Sequence, residues 1–203
     1  MSTVYYITHP DVVIGPDVLV DQWPLSLRGR ERMRAMLKSP WVSGIRAIYC
    51  SAEQKAIDGA AILSEAVSLP YVVVAQLGEN DRSSTGYLPG PEFESVVDEF
   101  FYRPEASVRG WERAVDAQSR IVAATMVILR SQPDEGDIAI VAHGGVGTLL
   151  LCYLKDTPIS RKHDQPPTNG GNYFVFDRTT FGVLHGWQPI EISPGRKPVK
   201  IEE

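Results

Sequence analysis

The apolar positions fall into short runs separated by polar stretches rich in glycine and proline. Val4-Tyr5-Tyr6-Ile7 is compact and apolar, which predicts a buried strand that stops at Thr8-His9-Pro10. After a loop containing Gly15, Pro16 and Pro24, Ser26 is placed to cap a helix running through Lys38, with Leu27, Met33, Met36 and Leu37 on its inner side. Ile45 to Tyr49 reads as a second strand that delivers Cys50 and Ser51 to its end. Ala56, Ala60, Leu63 and Val67 then recur at i, i+4, i+7 and i+11, one face of a helix. Tyr71 to Ala75 is a third strand-like run.

From Leu77 to Pro91 the chain is polar and broken by Gly78, Gly86, Pro89 and Gly90, which is loop chemistry. Glu92 to Tyr102 predicts a short helix and Trp111 to Arg130 a longer one, with Trp111, Val115, Ile121, Val122, Ile128 and Leu129 inward. Ile138 to Ala142 is the most strand-like run; it ends at His143-Gly144-Gly145, and another helix begins near Val146. Strands follow at Tyr173–Phe176 and Val183–Trp187, and the tail after Pro194 is polar and expected to be loose. Strands alternating with helices predict a three-layer α/β/α fold with a mostly parallel central sheet. Without an internal repeat or a break in composition, residues 1–203 are expected to form a single domain.

Composition narrows the function classes. A hydrophobic fraction of 43% and a charged fraction of 22% are ordinary globular values and argue against disorder. A net charge of -5 argues against a general nucleic-acid binder, though not against a locally basic pocket. Cys50 and Cys152 lie in apolar segments and read as reduced core thiols. Met1 to Ile7 lacks the basic start and length of a signal peptide, and no stretch is long enough to span a bilayer, so a cytoplasmic protein without membrane partners is expected.

Candidate chemistry gathers at strand ends. In a parallel sheet, ligands sit beyond the carboxyl ends of the strands, and His9 and His143 both fall there. A histidine at such a place can simply mark where the strand leaves the core. Two of them, one followed by Gly144-Gly145, point instead to an anion site, because glycine allows close backbone approach and a helix N-terminus offers free N–H groups. His163 and His185 lack that context. Phe100, Phe101 and Trp111 read as core or lid packing.

With these residues in order along it, the chain resembles the histidine phosphatase superfamily, the phosphoglycerate-mutase-like enzymes. The first-strand signature Arg-His-Gly is matched by Thr8-His9-Pro10. Leu-Thr-x-x-Gly is matched by Leu25-Ser26-Leu27-Arg28-Gly29, and the second-strand signature loosely by Cys50-Ser51-Ala52-Glu53-Gln54-Lys55-Ala56 and on to Ala60. Leu77-Gly78-Glu79 falls on the family's acid loop and Ala142-His143-Gly144-Gly145 on its late His-Gly-Gly. Asn169 to Asp177 resembles the loop and penultimate strand.

The resemblance implies a phosphatase acting on a small phosphate monoester. His9 would be the nucleophile, giving a phosphohistidine; Glu79 the acid and base; and His143 a donor to an equatorial oxygen. Lys55 falls on the second arginine position. Thr8, Ser51 and the Gly144 backbone complete the expected phosphate contacts. Thr8 and Lys55 each stand where the family has arginine, so the planar bidentate grip is missing. Arg82, three residues beyond Glu79, is the first candidate to compensate, ahead of Arg28 and Arg30. These departures also motivate an alternative, a catalytically weakened member that binds phosphate, another anion or a partner without turnover. A metal-dependent hydrolase using His9, Asp11 and His143 is a third possibility, lacking His-x-x-x-His spacing or a carboxylate cluster. The histidine mechanism implies no cofactor and no metal, and the expected partner is a small phosphorylated molecule or phosphate. The segment from Gly78 to Arg109 is expected to wall or cover the site.

Overall fold

A computed structural model describes residues 2–131 and 136–191. Six strands form one sheet: β1 (Thr3–Thr8), β2 (Ile45–Cys50), β3 (Tyr71–Val73), β4 (Asp137–Ala142), β5 (Asn172–Asp177) and β6 (Val183–Pro189). Their order across the sheet is β3-β2-β4-β1-β5-β6. The first four in that order run parallel; β5 is antiparallel to β1, and β6 to β5.

Five helices cover the two faces: α1 (Leu27–Met36), α2 (Gln54–Val67), α3 (Gly90–Tyr102), α4 (Ala114–Ser131) and α5 (Gly144–Leu154). The strand residues sort by parity, as side chains on a pleated strand must. Val4 and Tyr6 of β1, with Ile138, Ile140 and Ala142 of β4, pack toward α3, α4 and α5, against Phe100, Ile121, Val146 and Leu150. Ile7, Ala139 and Val141 point the other way, into Met33 and Met36 of α1 and Ala56, Ala60 and Leu63 of α2. A sheet buried on both faces explains why its central strands read as unbroken apolar runs. Cys50 and Cys152 are free and buried, as the sequence indicates, and burial pushes the Cys50 thiol up to about 12. Among the described residues no helix is long and apolar enough to cross a membrane.

Several boundaries differ from the sequence reading. Leu27, expected inside, is 73% exposed. Six residues at 100° each carry it about 120° around the helix from Met33, off the buried stripe. Helix α1 ends at Met36 rather than Lys38, shortly before Pro40. Strand β3 is shorter than Tyr71–Ala75, because Ala75 to Leu77 turn into a 3-10 turn that drops Leu77 into the core. Trp111 precedes α4 instead of beginning it. Its buried ring packs beside Phe93 and Phe100, and its indole N–H donates to Thr85 Oγ1 at 2.9 Å. The tail after Pro194 lies outside the described residues.

Candidate active site

Three neighbouring strands end side by side. Thr8 of β1 pairs with Ala142 of β4, and the next residues, His9 and His143, bring their rings to a centroid distance of 5.2 Å. The His9 N–H donates to the Ala142 carbonyl at 3.1 Å, and the Ser51 N–H to the Val141 carbonyl at 3.1 Å, so β2 delivers Ser51 to the same edge. Gly171 N–H donates to the His9 carbonyl. The chain reaches that contact through Gly170, at φ +71°, where an added Cβ would stand 2.1 Å from the same carbonyl oxygen.

His9 Nδ1 lies 3.0 Å from the Pro10 carbonyl oxygen. A carbonyl only accepts, so Nδ1 carries the hydrogen and Nε2 keeps its lone pair. Burial and the nearby Lys55 ammonium push the His9 pKa down to about 4, which keeps the ring neutral at pH 7. His143 is fully buried and also held well below the usual histidine range, chiefly by burial. Its Nε2 lies 2.6 Å from Ser51 Oγ and 3.1 Å from Glu53 Oε1.

Glu79 departs from the expectation for the α5 N-terminus. Its two carboxylate oxygens accept from the Gly145 N–H at 3.0 Å and the Val146 N–H at 2.9 Å. The anion at this helix end is therefore a side chain of the protein, and those two donors are already engaged. Burial, and then the neighbouring Glu53 charge, push the Glu79 pKa up, with the two N–H groups acting against them. Arg120 of α4 anchors the loop that carries Glu79. Its guanidinium donates to the carbonyls of Gln76, Gly78 and Glu79 and is gripped by both oxygens of Glu112.

Lys55 is buried, 4% exposed, with its ammonium 2.5 Å from Glu53 Oε2 and donating to the Val20 carbonyl at 2.7 Å. Thr8 is a correction: it does not line the cavity. Pairing of β5 with β1 buries its hydroxyl, which accepts from the Asn172 N–H at 3.0 Å and lies 2.9 Å from Gln165 Oε1. Arg28 and Arg30 are drawn away from the site, to Asp11 and Asp58 respectively. Asp11 is also committed to Arg32, and no cluster that could hold a metal occurs among the described residues.

Of the cations expected at the site, Arg82 reaches open space. It lines a cavity of about 470 Å³ together with His9, Glu79, Asn80 and Gly144, under a wall of Phe93, Phe100, Phe101 and Trp111. Its guanidinium sits 4.8 Å from the centroid of the Phe93 ring, and among the described residues it has no ion-pair partner. Arg161 joins the two sides of this cavity by pairing with Glu94 and Asp98 of α3 and with Asp164. A second cavity of about 420 Å³ shares Glu79, Asn80 and Arg82 and is also lined by Glu53.

Glu53, Asn80, Gln165, Asn172 and Arg120 belong to this assembly and have no role in the sequence reading. Glu53 carried a signal, an acid two residues before Lys55 where β2 gives way to α2. Arg120 carried none, since an arginine on a helix face normally meets solvent.

The family model of the histidine phosphatase superfamily (branch 1) matches residues 21–183. No curated protein matches the chain in sequence. Among solved structures it is similar to Bacillus stearothermophilus YhfR, at 22% identity and TM-score 0.75, over 95% of this chain and 98% of that one. It is also similar to a mycobacterial glucosyl-3-phosphoglycerate phosphatase in complex with inorganic phosphate, at 18% identity and TM-score 0.74, over 95% and 100% of the two chains. A putative alpha-ribazole-5'-P phosphatase from Escherichia coli aligns at 17% identity and TM-score 0.73, over 96% and 100%.

Proposed function

Because this chain belongs to the histidine phosphatase superfamily and with it to the phosphoric monoester hydrolases, we propose that it hydrolyses a small phosphate monoester through a phosphohistidine formed on His9. The observation that carries this reading is the His9 tautomer. The Pro10 carbonyl takes the Nδ1 hydrogen, and His9 lines the cavity that also holds Glu79 and Arg82. In the first step the His9 Nε2 lone pair forms a bond to phosphorus as the bond to the leaving oxygen breaks. Protonated Glu79 gives its proton to the departing alkoxide. In the second step water attacks phosphorus, Glu79 takes the water's proton, and the P–N bond breaks to restore neutral His9. Arg82 holds charge on the equatorial oxygens, where a preorganised donor is worth a hundredfold or more in rate, on the order of 3 kcal/mol. Burial on Glu79 favours the protonated form that the first step requires.

A second reading, an anion binder without turnover, is favoured by one observation: Lys55 and His143, two expected phosphate donors, are engaged by Glu53. Hydrolysis of an aryl phosphate by the wild type and by His9→Ala separates the two. Turnover by the wild type at least a thousandfold above the His9→Ala background is expected. Equal rates, with phosphate still bound, would leave only the binding role.

A further inference from the structure

The donors expected around the phosphoryl group are not vacant. An internal carboxylate, Glu53, holds two of them and a neighbouring backbone group: it pairs with the Lys55 ammonium at 2.5 Å, lies 3.1 Å from His143 Nε2 and accepts from the Glu79 backbone N–H at 2.7 Å. His143 Nε2 lies between Glu53 and the Ser51 hydroxyl, 2.6 Å away, so its ring edge is turned to protein groups already in place. We propose that Glu53 determines which anions the site takes, by holding the phosphate position with its own carboxylate until an incoming phosphoryl group displaces it. The inference rests on the phosphatase reading of the site and adds an occupant to it.

Like charge favours the displacement, the alternative being protonation of one of the two anions. A phosphate dianion held by Lys55 and His143 would lie against Glu53, and two anions in van der Waals contact in a buried site cannot both keep their charge. Geometry permits it as well. Glu53 is the residue before α2, with extended backbone outside the helix, and its side chain is 14% exposed. It also lines the second cavity, so the carboxylate has space to turn into. That cavity is lined by Arg82, which can receive the displaced carboxylate, and by Asp17, Asp21 and Asp81, which oppose it. Once phosphate leaves, Glu53 returns to Lys55. Glu53 thus weakens binding of every phosphoryl group by the same step, and the free phosphate product, with no leaving group to hold it in the aromatic-walled cavity, is left the most weakly bound.

The test is titration calorimetry of the full chain with inorganic phosphate and with orthovanadate at pH 7, comparing wild type, Glu53→Gln and Glu53→Ala, with thermal melts to establish folding. Both variants are expected to bind phosphate at least tenfold more tightly than wild type. Competitive inhibition of aryl phosphate hydrolysis by phosphate is expected to strengthen by a similar factor. Equal or weaker binding by the folded variants overturns the inference, as does absence of binding to all three proteins. A crystal structure of the wild-type vanadate complex decides the matter if neither variant folds. Glu53 swung off Lys55 and His143 supports the inference, and Glu53 still in place overturns it. Tighter binding without any turnover would remove the phosphatase reading and keep this one; turnover with unchanged binding would do the reverse.

Discussion

Arg82 and Thr8 exchange the parts that position in the sequence suggests for them. Thr8 stands beside the nucleophile, yet its hydroxyl is spent on β5, on the Asn172 N–H and the Gln165 side chain. Replacing Thr8 by valine keeps the shape and removes the acceptor, leaving a buried N–H unpaired. Denaturant unfolding is expected to show a loss of about 1–3 kcal/mol. A loss below a few tenths would mean that water replaces the hydroxyl. Arg82 lies in a loop where a charge ordinarily meets solvent, but its guanidinium reaches the cavity against Phe93. Arg82→Ala is expected to lower kcat/KM on an aryl phosphate by roughly a hundredfold, the usual cost of one preorganised donor. Arg82→Lys should recover only part of it, because an ammonium cannot reproduce the planar fork. Full activity in Arg82→Ala would return the role of phosphate cation to Lys55.

At the scale of elements, strands were far more legible than helix ends. Val4–Ile7 and Ile138–Ala142 are buried on both faces, so nearly every residue in them is apolar and the run announces itself. Helix limits depend on one or two residues whose fate tertiary packing decides, as Leu27 and Trp111 show. The site was legible where chemistry coincides with a strand end, at His9, His143 and Ser51. It was illegible where a side chain arrives from a distant element, as with Arg120, or where the meaning of a residue lies in its partner, as with Glu53 and Lys55. Helix α5 shows how closely element and site are fitted. A Cβ on Gly147 would stand 2.6 Å from Tyr6 Cε1 and 2.9 Å from Trp187 Cη2, both on rigid rings. Gly147→Ala must therefore push α5 off the sheet, and a stability loss of about 1–3 kcal/mol is expected from denaturant melts. Arg120→Ala acts on another element. It frees the carbonyls of Gln76, Gly78 and Glu79 and releases Glu112, which accepts from the Asp81 N–H, so both Glu79 and Arg82 lose placement and kcat/KM on an aryl phosphate is expected to fall at least tenfold.

Over the whole molecule, two buried neutral histidines tie stability to pH. His9, at about 4, and His143, well below its usual range, both take up protons more readily in the unfolded chain. Acidification then favours unfolding: the stability present above the unfolded histidine value near 6.5 is lost as pH falls toward 4. Glu79 works in the opposite sense. Its raised value contributes stability below the ordinary carboxylate range that is lost as pH rises through the folded value, so it offsets part of the decline. The melting temperature is expected to drop steadily from pH 7 to pH 4.5, and His143→Asn should flatten that slope. A slope unchanged in His143→Asn would mean that His143 takes up its proton as readily in the fold as in the unfolded chain. Activity adds a second limb: the rate should hold down to about pH 4, where His9 protonates, and fall as pH rises past the elevated Glu79 value.

The register of β1 has a consequence for how the protein comes into being. Val4 pairs with Ile138, and Thr3 with Asp177, so the first strand made waits for partners from the far end of the chain. Neither histidine meets the other until the chain has been made through His143. During synthesis β1 is an apolar segment without a sheet to join, exposed to solvent and to chaperones until β4 closes over it. The reactive centre is among the last things this fold assembles, and no N-terminal fragment ending before β4 can contain it.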